Sequence, residues 1–225
     1  MKTAAPPSVS VFPTLPYLQA ADSIREDNLT GAEVTMSHPM QMNAGDTGLL
    51  IIDVQEKLIP RIQAADAVVR NVSFLIDAAR LLEMPVQATE QYPKGLGPTI
   101  PELARRLPER PDKVAFSSCA VPSIVEHFRR AARPKIVLAG IETHVCVLHT
   151  ALDLLAGGFH VYVPVDAVGS RYVVDQETAL RRLERTGAIL TTTETCVFEW
   201  VGGAGHPQFK GISKLVQDRM KSMES

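Results

Sequence analysis

The sequence predicts one α/β domain built on a parallel sheet with helices on both faces. Three observations carry that reading. Short continuous apolar runs, of the kind that bury both faces of a strand, recur along the chain, with Gly48–Asp53 and Lys135–Gly140 the clearest. Longer segments with apolar residues at helical spacing lie between them. The two kinds alternate from Thr47 almost to the C-terminus, with no internal repeat and no second core. A chain of 225 residues with 45% hydrophobic content has enough apolar surface for such a core.

Residues 1–42 precede this pattern. Pro6, Pro7, Pro13, Pro16 and Pro39 punctuate a stretch without sustained periodicity. It reads as a flexible arm, or as a segment that orders against a neighbouring subunit, and leaves 43–225 as the domain proper. The first strand is Gly48–Asp53, ending in a carboxylate. A helix over 64–82 follows, with Ala67, Val68, Val72, Leu75, Ile76, Ala79 and Leu82 on its apolar positions. Pro85–Thr89 is the second strand, and Tyr92–Pro101 is a loop rich in Pro and Gly. Lys113–Phe116 is a weaker strand. Pro122 starts a helix carrying Ile124, Val125 and Phe128. After the buried strand Lys135–Gly140 comes a helix over 144–155, stopped by Gly157-Gly158. His160–Val165 is a strand weakened at its far end by Pro164. A helix over 176–186, a strand over 188–192 and an amphipathic helix over 212–220 complete the series.

Composition excludes several function classes. Formal net charge is −2 and no basic face stands out, so nucleic acid is not an expected partner. No apolar run reaches the roughly 18 residues that cross a bilayer, so no membrane partner is expected. Cys119, Cys146 and Cys196 are odd in number and unevenly spaced, which argues against a disulfide framework and for a cytoplasmic, reducing compartment.

In an open parallel sheet, ligands bind beyond the carboxyl ends of the strands. Asp53, Gln91, Tyr92 and the segment Gly140–Cys146 all follow strands and are expected on that edge, whereas Lys113, at the start of a weak strand, is not placed by the rule. Asp53-Val54-Gln55-Glu56-Lys57 occupies the position of a glycine-rich phosphate turn, and neither a dinucleotide fingerprint nor a P-loop occurs. Cys146 falls in the first turn of its helix, where unpaired N–H groups and the helix dipole favour a thiolate and can receive an oxyanion. A small buried structural cysteine fits the same pattern. Asp53 taken alone could cap a turn, and Lys113 taken alone could be a surface lysine. These local arguments define a site without a unique reaction.

Three blocks narrow it. Leu49-Leu50-Ile51-Ile52-Asp53-Val54-Gln55, Lys113 followed by Phe116-Ser117, and Gly140-Ile141-Glu142-Thr143-His144-Val145-Cys146-Val147 resemble the isochorismatase-like cysteine hydrolase family. Thr150–Asp153 and Val165–Arg171 extend the likeness, and Thr89–Gly97 looks like the isochorismatase domain-containing branch. The resemblance spans roughly residues 46–216 and leaves out the arm. It implies a Rossmann-like, three-layer α/β/α fold with a six-stranded, mainly parallel sheet.

It also implies a triad of Asp53, Lys113 and Cys146: the carboxylate takes the thiol proton, the lysine stabilises the charged pair, and the thiolate attacks an amide or related carbonyl carbon to give a thioester. The oxyanion hole would be the backbone N–H groups of Glu142 and Cys146, with a cis peptide between Ile141 and Glu142. Gln55, Gln91, Tyr92 and His144 are candidate substrate contacts. Nicotinamidases of this family hold a metal on an Asp-x-His pair after the second strand; here the sequence is Glu90-Gln91-Tyr92-Pro93, so no metal and no other cofactor is expected. The expected partners are a small-molecule substrate and further copies of the chain. The competing reading is an idle fold of this type serving as a binding or assembly protein. A redox-sensing Cys146 ranks below it, because no resolving cysteine lies close in sequence.

Overall fold

A computed structural model describes residues 38–224. Within it β1 (Thr47–Ile52), β2 (Val86–Gln91), β3 (Asp112–Lys113), β4 (Lys135–Ile141), β5 (His160–Pro164), β6 (Val168–Gly169) and β7 (Ile189–Thr191) form one sheet. Its order is β3-β2-β1-β4-β5-β7, with β6 attached to β4, and every pairing is parallel. The sheet therefore has seven strands where six were expected. The extra strand has a simple origin: β5 pairs only with Lys135–Val137, so the far half of β4 is open, and Val168 and Gly169 complete it against Gly140 and Ile141.

Helices α1 (Ala65–Leu81), α2 (Pro93–Leu96), α3 (Pro101–Ala104), α4 (Pro122–Arg130), α5 (Leu148–Ala156), α6 (Val173–Arg185), α7 (Thr193–Val201) and α8 (Phe209–Glu224) connect and cover it. The period-two rule of a strand sorts the core into two layers. Leu49, Ile51, Val137 and Ala139 meet Val72, Leu75 and Ile76 of α1 together with Trp200 of α7 and Ile212 of α8. Leu50, Ile52, Ile136 and Leu138 meet Ile124 and Phe128 of α4, Ala151 and Leu154 of α5, and Leu183 of α6. All six residues of β1 are buried, as the unbroken apolar run requires.

Some elements differ from expectation. Beyond the strand expected over 188–192 the chain forms the unexpected helix α7, which Thr192 caps by accepting from the Thr195 N–H and Gly202 ends at φ 70°. The tail helix α8 is longer than 212–220 and packs against α1 and α7. The predicted strand Lys113–Phe116 is instead Asp112–Lys113, and the chain then turns outward, leaving Val114 82% exposed. Residues 1–37 of the predicted arm lie outside the described residues. Its last residues already contact the domain: Met42 is buried in the core, and its N–H donates to Glu199 Oε2 at 2.8 Å. Among the described residues no helix is long and apolar enough to cross a membrane.

Candidate active site

The carboxyl edge of β1, β2, β3 and β4 collects the chemistry. Asp53 is the first residue beyond β1, at φ 53°, fully buried, with its N–H donated to the Thr89 carbonyl at 3.2 Å. Lys113 ends β3, paired in register with Gln91 at the end of β2. Because β3 closes at Lys113 rather than opening there, the lysine sits on the same edge as Asp53, and the carboxyl-end rule covers it after all. Its ammonium donates to Asp53 Oδ2 at 2.7 Å, Gln91 Oε1 at 2.7 Å and the Phe116 carbonyl at 2.9 Å. The lysine and aspartate side chains are 1% and 0% exposed. A buried ion pair of this kind is tolerable only because its remaining hydrogen-bonding capacity is also met.

Cys146 arrives from the opposite side. Thr143–Val147 forms a π-helical turn that leads into α5, and the Glu142 carbonyl accepts from the N–H groups of Val145 and Val147, one on each side of Cys146. The Ile141–Glu142 peptide is cis. Cys146 Sγ lies 3.8 Å from Gln91 Oε1, and the residue is 5% exposed. Burial pushes the thiol up to about 12; the Asp53 charge adds to the rise and Lys113 opposes it. The direction is opposite to the lowering expected from the helix start, with burial the largest cause and the neighbouring carboxylate the next.

Residues 47–195 match the Isochorismatase domain family. The chain belongs to the isochorismatase-like hydrolase family. Mouse isochorismatase domain-containing protein 2A is 42% identical over 171 residues, covering 76% of this chain and 82% of its own. The solved structure of the MAR1 ribonuclease from Caenorhabditis elegans is 43% identical at a TM-score of 0.74, with 79% of this chain and 92% of that one covered. The Escherichia coli YcaC product, described as an octameric hydrolase of unknown specificity, shares the fold at a TM-score of 0.75 and 24% identity, covering 84% and 97%.

In this isochorismatase-like hydrolase the other predicted contacts divide sharply. Gln55 is wholly buried and fully engaged: its Oε1 takes the Gln91 N–H at 2.7 Å, and its amide donates to the carbonyls of Gln91 at 2.9 Å and Gly97 at 2.6 Å. It holds the β2 end, with both amide hydrogens and its Oε1 committed to backbone groups. Gln91 joins the centre, bridging Lys113 and Cys146 while its Nε2 donates to the Val114 carbonyl at 2.7 Å. Tyr92 is 53% exposed, its ring over Gly95. The ring nitrogens of His144 are directed elsewhere, Nδ1 to Ser170 Oγ at 3.0 Å and Nε2 to Asp175 Oδ2 at 3.7 Å. Glu142, whose backbone N–H was expected in the oxyanion hole, accepts at Oε2 from Arg171 Nε at 3.0 Å.

Sequence reasoning missed Thr89, Ser118 and Thr150. Thr89 donates to Asp53 Oδ1 at 2.8 Å and lies 3.0 Å from Ser118 Oγ, while the Ser118 N–H donates to Thr150 Oγ1 at 2.9 Å. Only the strand-end position of Thr89 hinted at such a role. Among the described residues no group of three or more His, Cys, Asp and Glu is placed to hold a metal. Glu90 is taken up by the Thr99 N–H at 2.8 Å and Arg110 Nε at 3.1 Å.

Proposed function

We propose that this chain is a cysteine-dependent hydrolase of a small amide or related carbonyl C–N bond. The observation that carries the reading is the buried Asp53–Lys113 pair, joined through Gln91 Oε1 to the Cys146 thiol. As substrate binds, Asp53 accepts the thiol proton, and Lys113 neutralises the charge that builds on the pair. The sulfur forms a bond to the carbonyl carbon, and the developing oxyanion is received by the N–H groups of Glu142 and Cys146. Collapse breaks the C–N bond, and the nitrogen leaves with the proton held by Asp53. Water, deprotonated by the same carboxylate, cleaves the thioester and regenerates the thiol. Asp53 and the cysteine cycle together, so no cofactor is required.

A thiol held up near 12 suits such a mechanism, since it stays protonated until a base beside it acts. The partners in this reading are a small-molecule substrate and further copies of the chain, the latter supported by the octameric YcaC neighbour. We place the protein in the cytoplasm on its three free cysteines.

A screen of small amides, ureides and carbamoyl compounds, run with wild type and Cys146→Ala in parallel, tests the reading. Turnover with an acyl adduct on Cys146, both lost in the variant by at least about a thousandfold, is the expected result. Unchanged turnover by Cys146→Ala removes the covalent mechanism. RNA cleavage is a second reading, favoured by the name of the 43% identical C. elegans neighbour, and RNA incubated with the same two proteins tests it.

A further inference from the structure

The mechanism leaves one buried polar chain unused. Asp53 has two carboxylate oxygens: Oδ2 meets Lys113 at 2.7 Å, and Oδ1 meets the Thr89 hydroxyl at 2.8 Å. An ionised carboxylate only accepts, so Thr89 must spend its single proton on Asp53. The 3.0 Å contact between the Thr89 and Ser118 hydroxyls then has one possible direction, with Ser118 donating. Ser118 is itself fixed by its backbone N–H on Thr150 Oγ1 at 2.9 Å. Thr150 lies on α5, which continues directly from the π-helical turn bearing Cys146. Thr89 is 1% exposed; Asp53, Ser118 and Thr150 are wholly buried.

We infer that Thr89 and Ser118 are positioning residues that set the plane of the Asp53 carboxylate against α5, the helix that continues from the turn bearing the nucleophile. The inference rests on the cysteine-hydrolase reading and adds what aims its base. The terminal torsion of an aspartate is broad and nearly two-fold. A single bond to Lys113 would let the carboxylate pivot about its Cβ–Cγ bond, whereas a second bond from Thr89 fixes the plane. The chain continues from β2 through the 3-10 turn Ser118–Ala120 to α5, so the base and the nucleophile share one rigid reference. Proton transfer from a thiol is sensitive to such aim, and a displacement of an ångström costs about a hundredfold in rate.

The test uses p-nitrophenyl acetate as an acyl probe on the full chain, with kcat and KM measured for wild type, Thr89→Val, Thr89→Ser, Ser118→Ala and Cys146→Ala, and intact mass reporting the acetyl-thioester. Thr89→Val keeps the shape and removes the hydroxyl; it should lower kcat roughly 10- to 100-fold with KM within about twofold. Thr89→Ser restores the hydroxyl and should return kcat to within about threefold of wild type. Ser118→Ala keeps the Thr89–Asp53 bond but frees its orientation, and its loss should fall between the two. A merely structural Thr89 predicts wild-type kcat in whatever folded fraction remains, and this outcome with Cys146→Ala inactive overturns the positioning role alone. A Thr89→Ser variant as slow as Thr89→Val also overturns it. Wild-type turnover by Cys146→Ala overturns the underlying mechanism instead.

Discussion

The ammonium of Lys113 and the carboxylate of Asp53 lie 2.7 Å apart with both side chains out of reach of solvent. Sixty positions separate them in the chain, and the parallel register of β1, β2 and β3 brings them together. Removing either partner leaves a buried charge unpaired, so Asp53→Asn and Lys113→Met should each cost about 3–5 kcal/mol. The double variant should cost clearly less than the sum. Urea unfolding of the four proteins measures the coupling, and strictly additive costs would show that the pair is not an energetic unit.

The Cys146 thiol is pushed up to about 12, with burial as the largest cause and the Asp53 charge next. At neutral pH the resting form is therefore the thiol. Its labelling by iodoacetamide in the free protein should climb about tenfold per pH unit from pH 7 to 10. Asp53→Asn removes a raising influence and leaves Lys113 to act alone, so the variant should label faster than wild type while hydrolysing nothing. Peptide mapping separates Cys146 from Cys119, which burial pushes to about 11, and from Cys196, which burial pushes higher still. A labelling plateau below pH 9 would contradict the raised thiol.

Gln55 satisfies both backbone groups of Gln91 and the carbonyl of Gly97 from a wholly buried position. Gln55→Ala leaves three polar groups unmatched and should destabilise the fold by about 2–4 kcal/mol. It should also lower kcat, because Gln91 loses the anchor that holds its amide between Lys113 and Cys146. Denaturant melts and turnover of the acyl probe read the two effects separately. A variant with normal stability would sink the assignment of Gln55 as a clamp.

Gly140 sits at φ 122° beside Ile52, and an added Cβ would run into the Ile52 carbonyl oxygen. The β1–β4 contact there places Asp53 relative to the turn bearing Cys146. Gly140→Ala should cost about 2–4 kcal/mol, since strained dihedrals and a backbone clash combine. Thermal unfolding is the check, and an unchanged Tm would mean the strands separate freely at this point.

The sequence alone determined which segments are strands and helices wherever burial is one-dimensional. The runs Leu49–Ile52 and Ile136–Ala139 are apolar because both faces are covered, and α1 shows its stripe because a helix repeats every 3.6 residues. It also marked Asp53 and Cys146 by their places after recognisable runs, whereas Lys113 was singled out only by the resemblance of its block to the isochorismatase-like family. Only the tertiary structure decided the rest. β6 is two residues long and exists because β5 stops short along β4; no local pattern encodes that vacancy. Lys113 belongs on the carboxyl edge because Gln91 and Tyr92 fix its register, although its own neighbours made a poor strand. Gln55 and Gln91 looked alike as polar residues near a strand end, yet one is consumed by backbone groups and the other reaches the thiol. The Thr89–Ser118–Thr150 chain draws on a strand, a turn and a helix distant in sequence, and hydrogen bonds between such elements leave no periodic trace.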